Sequence, residues 1–216
     1  MTWHQAKAAS SIALVELAKP LIREALKYKW ETLIDFGCGY GLHCAEFAKS
    51  GRKITGIDLG FVPEALEDAK AGGYTLISGS WEKLGDKTFD VGYSACCLEH
   101  LPAPIAALHE WGRIVKPGGK LFIAVPAYSE RLSVGHIVTG WHVGQLMYCL
   151  ALAGWDCRNG RFTRHEYEIW GIADRPQTMV LGDQIRGDWG DNRDRLPPAL
   201  TAENSHFRAA LASWNW

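Results

Sequence analysis

The chain has 216 residues, enough for one sizeable hydrophobic core, so one domain with additional segments is expected. Its 23 lysines and arginines nearly balance its 24 aspartates and glutamates, which argues against a nucleic-acid or anionic-membrane partner. No apolar run approaches the roughly 20 residues of a membrane span, and the first residues lack the basic-then-apolar order of a signal peptide.

Apolar periodicity along the chain predicts helices that alternate with short strands. The first 30 residues are predicted to form a helical cap, in which Pro20 is expected to break or kink the helix. The predicted strands are 32–36, 53–58, 74–78, 89–94 and 120–126; the predicted helices are 42–50, 63–72, one from 104 to the Pro117-Gly118-Gly119 turn, and 142–153. This alternation favours a Rossmann-like α/β fold with a doubly wound, mostly parallel seven-stranded sheet.

The C-terminal third begins with a predicted antiparallel hairpin. Asn159-Gly160 lies between two strand-like runs, which is a strong hairpin-turn signal. The domain is expected to end at about residue 174. Residues 175–216 mix Gly, Pro, Asp and Arg with few aliphatics, so they predict a loop-rich tail that ends in a short helix capped by Thr201.

Three glycines, Gly37, Gly39 and Gly41, follow the first predicted strand within five residues. Glycine costs roughly 0.5–1 kcal/mol relative to alanine in regular structure, so this loop needs unusual backbone angles or a closely approaching ligand. The carboxyl ends of parallel strands are where such sheets bind ligands. The position of the loop therefore favours a ligand site over an ordinary strand-to-helix connection.

Four sequence features follow one another along the chain. They are the loop D-x-G-x-G-x-G that begins at Asp35, a strand that ends at Asp58, an aromatic-acidic turn at Trp81, and a strand that runs into L-E-H-L. This order resembles the class I S-adenosylmethionine-dependent methyltransferases, in particular the small-molecule and glycan-directed group with the loop D-x-G-C-G-x-G. The resemblance covers residues 33–126 well and 135–173 more loosely.

The resemblance implies an enzyme that uses S-adenosyl-L-methionine to methylate a hydroxyl of a small molecule, a sugar or a glycan. Two alternatives remain open at this stage. One is an N-methyltransferase of a small amine, and the other is a non-catalytic S-adenosylmethionine-binding partner subunit. A nucleic-acid substrate is disfavoured, because the Asn/Asp-Pro-Pro-aromatic signature of base-directed enzymes is absent.

The same resemblance assigns roles on the cofactor side. The loop glycines would admit the methionine part, Asp35 would accept from its ammonium group, and Asp58 would accept from both ribose hydroxyls. The family usually has an aspartate at the adenine position, where this chain has Ser80, so the contact falls either to Ser80 or to stacking on Trp81. The predicted cofactor-binding residues are Asp35, Gly37, Cys38, Gly39, Gly41, Asp58, Leu59, Ser80, Trp81, Ser94 and Cys96.

The acceptor side is predicted at the segment that contains L-E-H-L. Ubiquinone-type O-methyltransferases resemble it with E-x-x-E-H, which binds a divalent metal. Glu99 and His100 match the last two positions, but Cys96 replaces the first glutamate, so no metal is predicted. Histidine can take a proton from a hydroxyl near pH 7, so the catalytic candidates are His100, His136 and His142, with packed or surface histidines as the alternative.

Residues 127–154 are predicted to cover the acceptor, because Trp141 and the histidines lie among several glycines. The alternative is a fixed core helix preceded by a decorated loop. The six cysteines show neither C-x-x-C nor zinc-like spacing, so free thiols in a reducing cytoplasm are expected. The expected partner is a small-molecule or glycan acceptor, and the expected state is a monomer or homodimer.

Overall fold

The computed structural model describes residues 16–129, 135–138, 140–181 and 194–197, together with the backbone of 213–214. The start of the predicted helical cap and the predicted helix after Thr201 lie outside these residues. Within the described part of the chain, no helix combines the length and apolar character that a bilayer span requires. All six cysteines are described, and each is a free thiol.

Helices and strands alternate along the described chain. The helices are α1 (16–26), α2 (Leu42–Ala48), α3 (Pro63–Gly72), α4 (Pro104–Ile114) and α5 (Val143–Leu152). The strands are β1 (Thr32–Phe36), β2 (Lys53–Asp58), β3 (Thr75–Ser78), β4 (Phe89–Ala95), β5 (Val115–Pro126), β6 (Asp156–His165), β7 (Glu168–Asp174) and β8 (Ser213–Trp214).

The strands form one mixed sheet in the order β3-β2-β1-β4-β5-β7-β6-β8. The pairs among β1 to β5 are parallel, whereas β7 runs antiparallel to both β5 and β6. The predicted Rossmann-like architecture is therefore confirmed, with β8 as a two-residue addition beside β6. The chain leaves β1 toward β2 and β3 and returns to β4, so the strand order reverses between β1 and β4. Ligands bind at such a switch point in open α/β sheets.

The core consists of two hydrophobic clusters on opposite faces of the sheet. Successive strand residues point to opposite faces, so Ile34 and Phe36 enter one cluster while Leu33 enters the other. Phe36 stacks on Trp111 of α4, with ring centroids 4.8 Å apart and an interplanar angle of 6°. Phe47 of α2 fills the second cluster. Helices therefore cover both faces, which makes the sheet doubly wound.

The predicted C-terminal hairpin exists, but its turn was placed wrongly. The chain reverses at Glu166 and Tyr167, and Glu166 has a positive φ of 54°. Asn159 and Gly160 lie within β6, where the register with β7 shifts between Asp156 and Arg161. The Asn-Gly pair therefore marks an irregularity in the strand, because pairing with β7 outweighs the local turn preference.

Two other local predictions also need correction. The helical backbone runs without interruption through Pro20. The predicted Pro117-Gly118-Gly119 turn lies inside β5, where the pairing with β4 jumps from Phe89–Val115 to Val91–Lys120. The Gly118 N–H donates to the Arg175 carbonyl at 2.9 Å, so the end of the hairpin holds this bulge in the sheet.

Candidate active site

A cavity of about 1010 Å³ opens at the carboxyl ends of β1, β2 and β4. Of the sequence-predicted residues, Gly37, Cys38, Gly39, Asp58, Leu59, Ser80, Trp81, Cys96 and His100 line it. Ten further lining residues were not predicted from the sequence, although most of them directly follow a predicted strand end or loop: Tyr40, Leu42, His43, Gly60, Phe61, Val62, Gly79, Ala95, Cys97 and Leu101. A second groove of about 650 Å³ lies at the amino ends of the strands, away from every predicted site residue.

The three loop glycines have different physical reasons to be glycine. Gly39 has φ +56°, and a Cβ there would meet no heavy atom within 4 Å, so its backbone faces open space. A Cβ on Gly37 would lie 2.2 Å from Cys97 Sγ, and one on Gly41 would lie 3.1 Å from the Tyr74 ring. Gly41 is the left-handed N-cap of α2 and does not line the cavity. Only Gly39 therefore leaves room that a ligand can use.

Asp58 connects the end of β2 to the glycine loop. Its Oδ2 accepts the Gly39 N–H at 2.8 Å, and its Oδ1 accepts the Leu59 N–H at 2.7 Å. A carboxylate offers about four acceptor positions, so two remain for a ligand's hydroxyl groups. Asp58 thus fixes the loop and still presents accepting capacity to the cavity.

Asp35 lies beneath the glycine loop and is 1% exposed. Its burial raises the pKa of the carboxyl to about 7; the Cys44 S–H, which donates at 3.5 Å, lowers it, and the charge of Asp58 raises it. An approaching cation would favour the ionised form of this buried carboxyl. The site therefore suits a ligand that carries an ammonium group beside the loop.

Ser80 and Trp81 form the wall beyond β3. The Ser80 hydroxyl donates to Glu82 Oε2 at 2.7 Å, which leaves its oxygen lone pairs as acceptors. The Trp81 ring meets Phe36 and Trp111 edge-on, with ring centroids 6.3 and 5.7 Å away. Trp81 is thus held by the core while it lines the cavity, so both adenine contacts considered from the sequence remain compatible with the structure.

Two buried glutamates, Glu99 and Glu168, lie after the end of β4 and at the start of β7. Cys96 has a positive φ of 53°, and its S–H donates to Glu168 Oε1 at 3.4 Å. The Trp170 Nε1–H donates to Glu168 Oε2 at 2.9 Å. Burial raises the pKa of Glu168 and also raises that of Glu99 to about 7. Glu168 was not predicted from the sequence, because it lies 72 residues after Cys96.

Two of the three candidate histidines lie together. His100 Nδ1 is 2.8 Å from the Gly135 carbonyl oxygen, and the His136 ring packs edge-on against His100 with centroids 4.8 Å apart. Burial lowers the pKa of His136, and the His100 charge lowers it further. His142 precedes α5, where its ring stacks on Tyr128 at 5.2 Å. His136 and His142 do not line the cavity, whereas His100 does.

Residues 34–123 match a methyltransferase domain. Within this domain lie the glycine loop, Asp58, Trp81 and His100. The match covers less than half of the chain, and it includes the cavity lining between β1 and β4.

Relatives of the methyltransferase domain agree with this match. The ubiquinone biosynthesis O-methyltransferase of Nitrosococcus oceani is 36% identical over 112 residues, which are 48% of this chain and 47% of the relative. The enzyme of the same name from Pseudomonas paraeruginosa is 30% identical over 126 residues, which are 54% of this chain and 53% of the relative. The chain therefore spans about half the length of these curated relatives.

Solved structures show the same fold. A Burkholderia thailandensis 1,6-didemethyltoxoflavin-N1-methyltransferase, with 1,6-didemethyltoxoflavin and S-adenosylhomocysteine bound, superposes with a TM-score of 0.66 at 20% identity, over 81% of this chain and 84% of that one. A SAM-dependent methyltransferase from Aquifex aeolicus superposes with a TM-score of 0.57 at 21% identity, over 71% and 89%. The chain has the fold of these methyltransferases.

Two residues that the sequence analysis associated with the site, Ser94 and Trp141, have structural positions in the fold. The Ser94 hydroxyl, 1% exposed, donates to the Phe36 carbonyl at 3.0 Å and so ties β4 to β1. Trp141 was expected to face an acceptor, but its side chain is 1% exposed and belongs to the core cluster that contains α5. These positions favour the alternative in which α5 is a fixed core helix and only the residues before it can cover an acceptor.

Glu99, His100 and His136 offer possible metal-ligating atoms that all lie within 4.8 Å of one another. One carboxylate and two imidazoles do not match the oxygen ligands that Mg²⁺ prefers, and Cys96 adds only a thiol. The cluster therefore does not fit the magnesium site that E-x-x-E-H implies.

Proposed function

We propose that this chain is an S-adenosylmethionine-dependent methyltransferase that methylates a hydroxyl group of a small molecule, a sugar or a glycan. The observation that carries the proposal is the position of His100 in the cavity wall that also contains Gly39 and Asp58. A carbonyl oxygen can only accept, so the Gly135 carbonyl keeps the hydrogen of neutral His100 on Nδ1. Nε2 is then an acceptor on the ring that lines the cavity.

The cofactor side of the cavity fits S-adenosylmethionine in three places. Gly39 provides the open backbone approach, and Asp35 provides a buried carboxyl that an ammonium group would ionise. Asp58 retains acceptor positions for ribose hydroxyls. Ser80 or Trp81 would contact the adenine. The Burkholderia thailandensis enzyme, which has S-adenosylhomocysteine bound on the same fold, supports this cofactor.

The residues of this chain would supply orientation and proton acceptance. S-adenosylmethionine supplies an electrophilic methyl group when it is bound. A hydroxyl acceptor must lose its proton as its oxygen is methylated, and His100 Nε2 is the accepting atom in the cavity wall. His136 and His142 remain candidates for the same role. The names of the O-methyltransferase relatives favour a hydroxyl acceptor over the amine alternative.

Calorimetry is expected to show that the protein binds S-adenosylhomocysteine with a Kd in the micromolar range. Transfer of a labelled methyl group to a panel of phenols, sugars, glycans and small amines should then select hydroxyl acceptors. Absence of cofactor binding would overturn the cofactor assignment. Selective methylation of amines would favour the N-methyltransferase alternative, and binding without turnover across the panel would favour the non-catalytic partner subunit.

Cofactor affinity is expected to rise about tenfold between about pH 6 and about pH 8. The cofactor's ammonium group binds to the ionised form of Asp35, and burial raises the pKa of Asp35 to about 7. Below that pH, the Asp35 carboxyl must therefore release a proton when the cofactor binds. Titration calorimetry with S-adenosylhomocysteine at both pH values measures the change. Asp35→Asn should bind weakly at both. An equally pH-dependent Asp35→Asn variant would contradict this assignment.

The same carboxyl predicts the pH dependence of stability without cofactor. Its folded pKa of about 7 exceeds its ordinary value of 3.8, so the folded state holds this proton more tightly than the unfolded chain. The stability contribution from Asp35 is therefore fully present below about pH 4 and is lost as the pH rises to about 7. In thermal-unfolding measurements, Asp35→Asn should remove this part of the decline in stability with rising pH.

A further inference from the structure

The buried carboxyl group of Glu99 lies next to His100, which is the one of the three predicted catalytic histidines that lines the cavity. Its side chain is 1% exposed, and its Oε1 is 3.9 Å from His100 Nε2. Its Oε2 has no hydrogen-bond partner among the described residues. A buried carboxylate without a full set of partners is costly unless a charge or a hydroxyl nearby compensates it. The neighbouring imidazole becomes that charge when it is protonated.

The backbone around Glu99 holds this arrangement in place. The N–H groups of Ile137 and Val138 donate to the Glu99 carbonyl oxygen at 2.8 and 3.1 Å. The same segment supplies the Gly135 carbonyl that orients His100. Residues 135–138 therefore fix both members of the pair from a single short stretch of chain.

We propose that Glu99 is the positioning residue of a metal-free carboxylate–histidine pair, in which it stabilises His100 as His100 Nε2 takes the proton of the acceptor hydroxyl. The inference rests on the proposed function. In the balanced step, the acceptor oxygen forms its bond to the methyl carbon, the carbon–sulfur bond breaks with its electron pair on sulfur, and the hydroxyl proton moves to Nε2. The imidazolium that results lies 3.9 Å from Glu99 Oε1.

The electrostatic surroundings of Glu99 agree with this role. Burial raises the pKa of Glu99 to about 7, while its own backbone and the charge of His100 lower it and Glu168 raises it. The His136 ring packs edge-on against His100, and the thiols of Cys96 and Cys97 lie close enough for the Glu99 charge to raise their pKa values. Among the described residues, His100 is the basic side chain whose charge lowers the Glu99 pKa, so His100 is a partner that the Glu99 charge can stabilise.

A titration that needs no acceptor tests the pair directly. Carbon-13 NMR of the labelled Glu99 carboxyl in the full chain should give a midpoint near pH 7. His100→Ala should move the midpoint upward, because it removes the cation that favours the carboxylate. His109→Ala is the control, since that side chain bonds to the Ala153 carbonyl instead. A midpoint near the ordinary 4.5, or one that His100→Ala leaves in place, would overturn the proposal.

Turnover with a hydroxyl acceptor that the wild type methylates gives the second test. Glu99→Gln should lower kcat about tenfold with the KM for cofactor within twofold, and His100→Ala should lower kcat about a hundredfold. In the His100→Ala background, Glu99→Gln should have no further effect, because Glu99 acts through His100. Additive losses would overturn the proposal.

Two controls separate this role from folding and from metal binding. Glu24→Gln removes another buried carboxyl, which bonds to Lys27 and Arg161 away from the cavity, and any effect it has should add to that of His100→Ala. Full turnover in the presence of a chelator is expected. Loss of turnover in chelator that a divalent cation restores would overturn the metal-free pair, whereas failure of the whole acceptor panel would instead overturn the proposed function.

Discussion

Gly39→Val is expected to abolish measurable cofactor binding while the protein remains folded. The backbone of Gly39 has φ +56°, and the space beyond its Cα is open cavity. A valine there would fill the space that the cofactor needs, and a β-branched residue at positive φ adds a strain of roughly 1–3 kcal/mol. Titration calorimetry with S-adenosylhomocysteine measures the loss of binding, and thermal unfolding measures the strain.

Gly51→Val is the matched control for this experiment. Gly51 has φ +74°, and a Cβ there would also meet nothing within 4 Å, but it lies in the turn after α2, away from the cavity. The two variants should therefore lose similar stability, and only Gly39→Val should lose the cofactor. Equal cofactor affinity in both variants would mean that the glycine loop has a structural role alone.

Asp58→Ala is expected to weaken cofactor binding by about 1.5–3 kcal/mol, which is roughly a 10- to 150-fold increase in Kd. The substitution removes the acceptor for ribose hydroxyls together with the bonds that hold the Gly39 and Leu59 N–H groups. The loss therefore combines a missing ligand contact with a looser glycine loop. Titration calorimetry measures the total.

Asp58→Asn separates these two contributions. The amide retains one oxygen for a backbone N–H and loses the charge that strengthens bonds to ribose hydroxyls. Its loss of affinity should therefore be smaller than that of Asp58→Ala. Glu67→Ala removes an exposed acidic side chain from α3 and controls for the change in net charge. Wild-type affinity in both Asp58 variants would remove Asp58 from the cofactor site.

The order of elements and the site edge were predictable from local sequence signals. The strand period of two and the helix period of 3.6 are visible within a few residues, so β1, β2 and α3 were located correctly. The glycine loop and Asp58 directly follow or end predicted strands, and parallel strands bring their carboxyl ends to one edge. The position of the cavity follows from that geometry.

Contacts between distant residues were decided only by the tertiary structure. The sequence gives no sign that Glu168 accepts from Cys96 or that His136 packs against His100, because 72 and 36 positions separate these pairs along the chain. The predicted hairpin turn at Asn159-Gly160 was wrong for the same reason. Pairing between β6 and β7 places the chain reversal at Glu166 instead. The conformational preference of a single residue amounts to about 1 kcal/mol of free energy. The pairing and burial of a whole strand stabilise the fold by more than that.

The three loop glycines show this division within one motif. Sequence determined that five residues held three glycines after a buried strand, and this pattern located the site. Only the packed structure showed that Gly37 is small because of Cys97, that Gly41 is small because of Tyr74, and that Gly39 alone faces open space. A glycine in the sequence indicates either an unusual backbone angle or a lack of space for a Cβ. Which atoms lie beside it depends on side chains from distant parts of the chain.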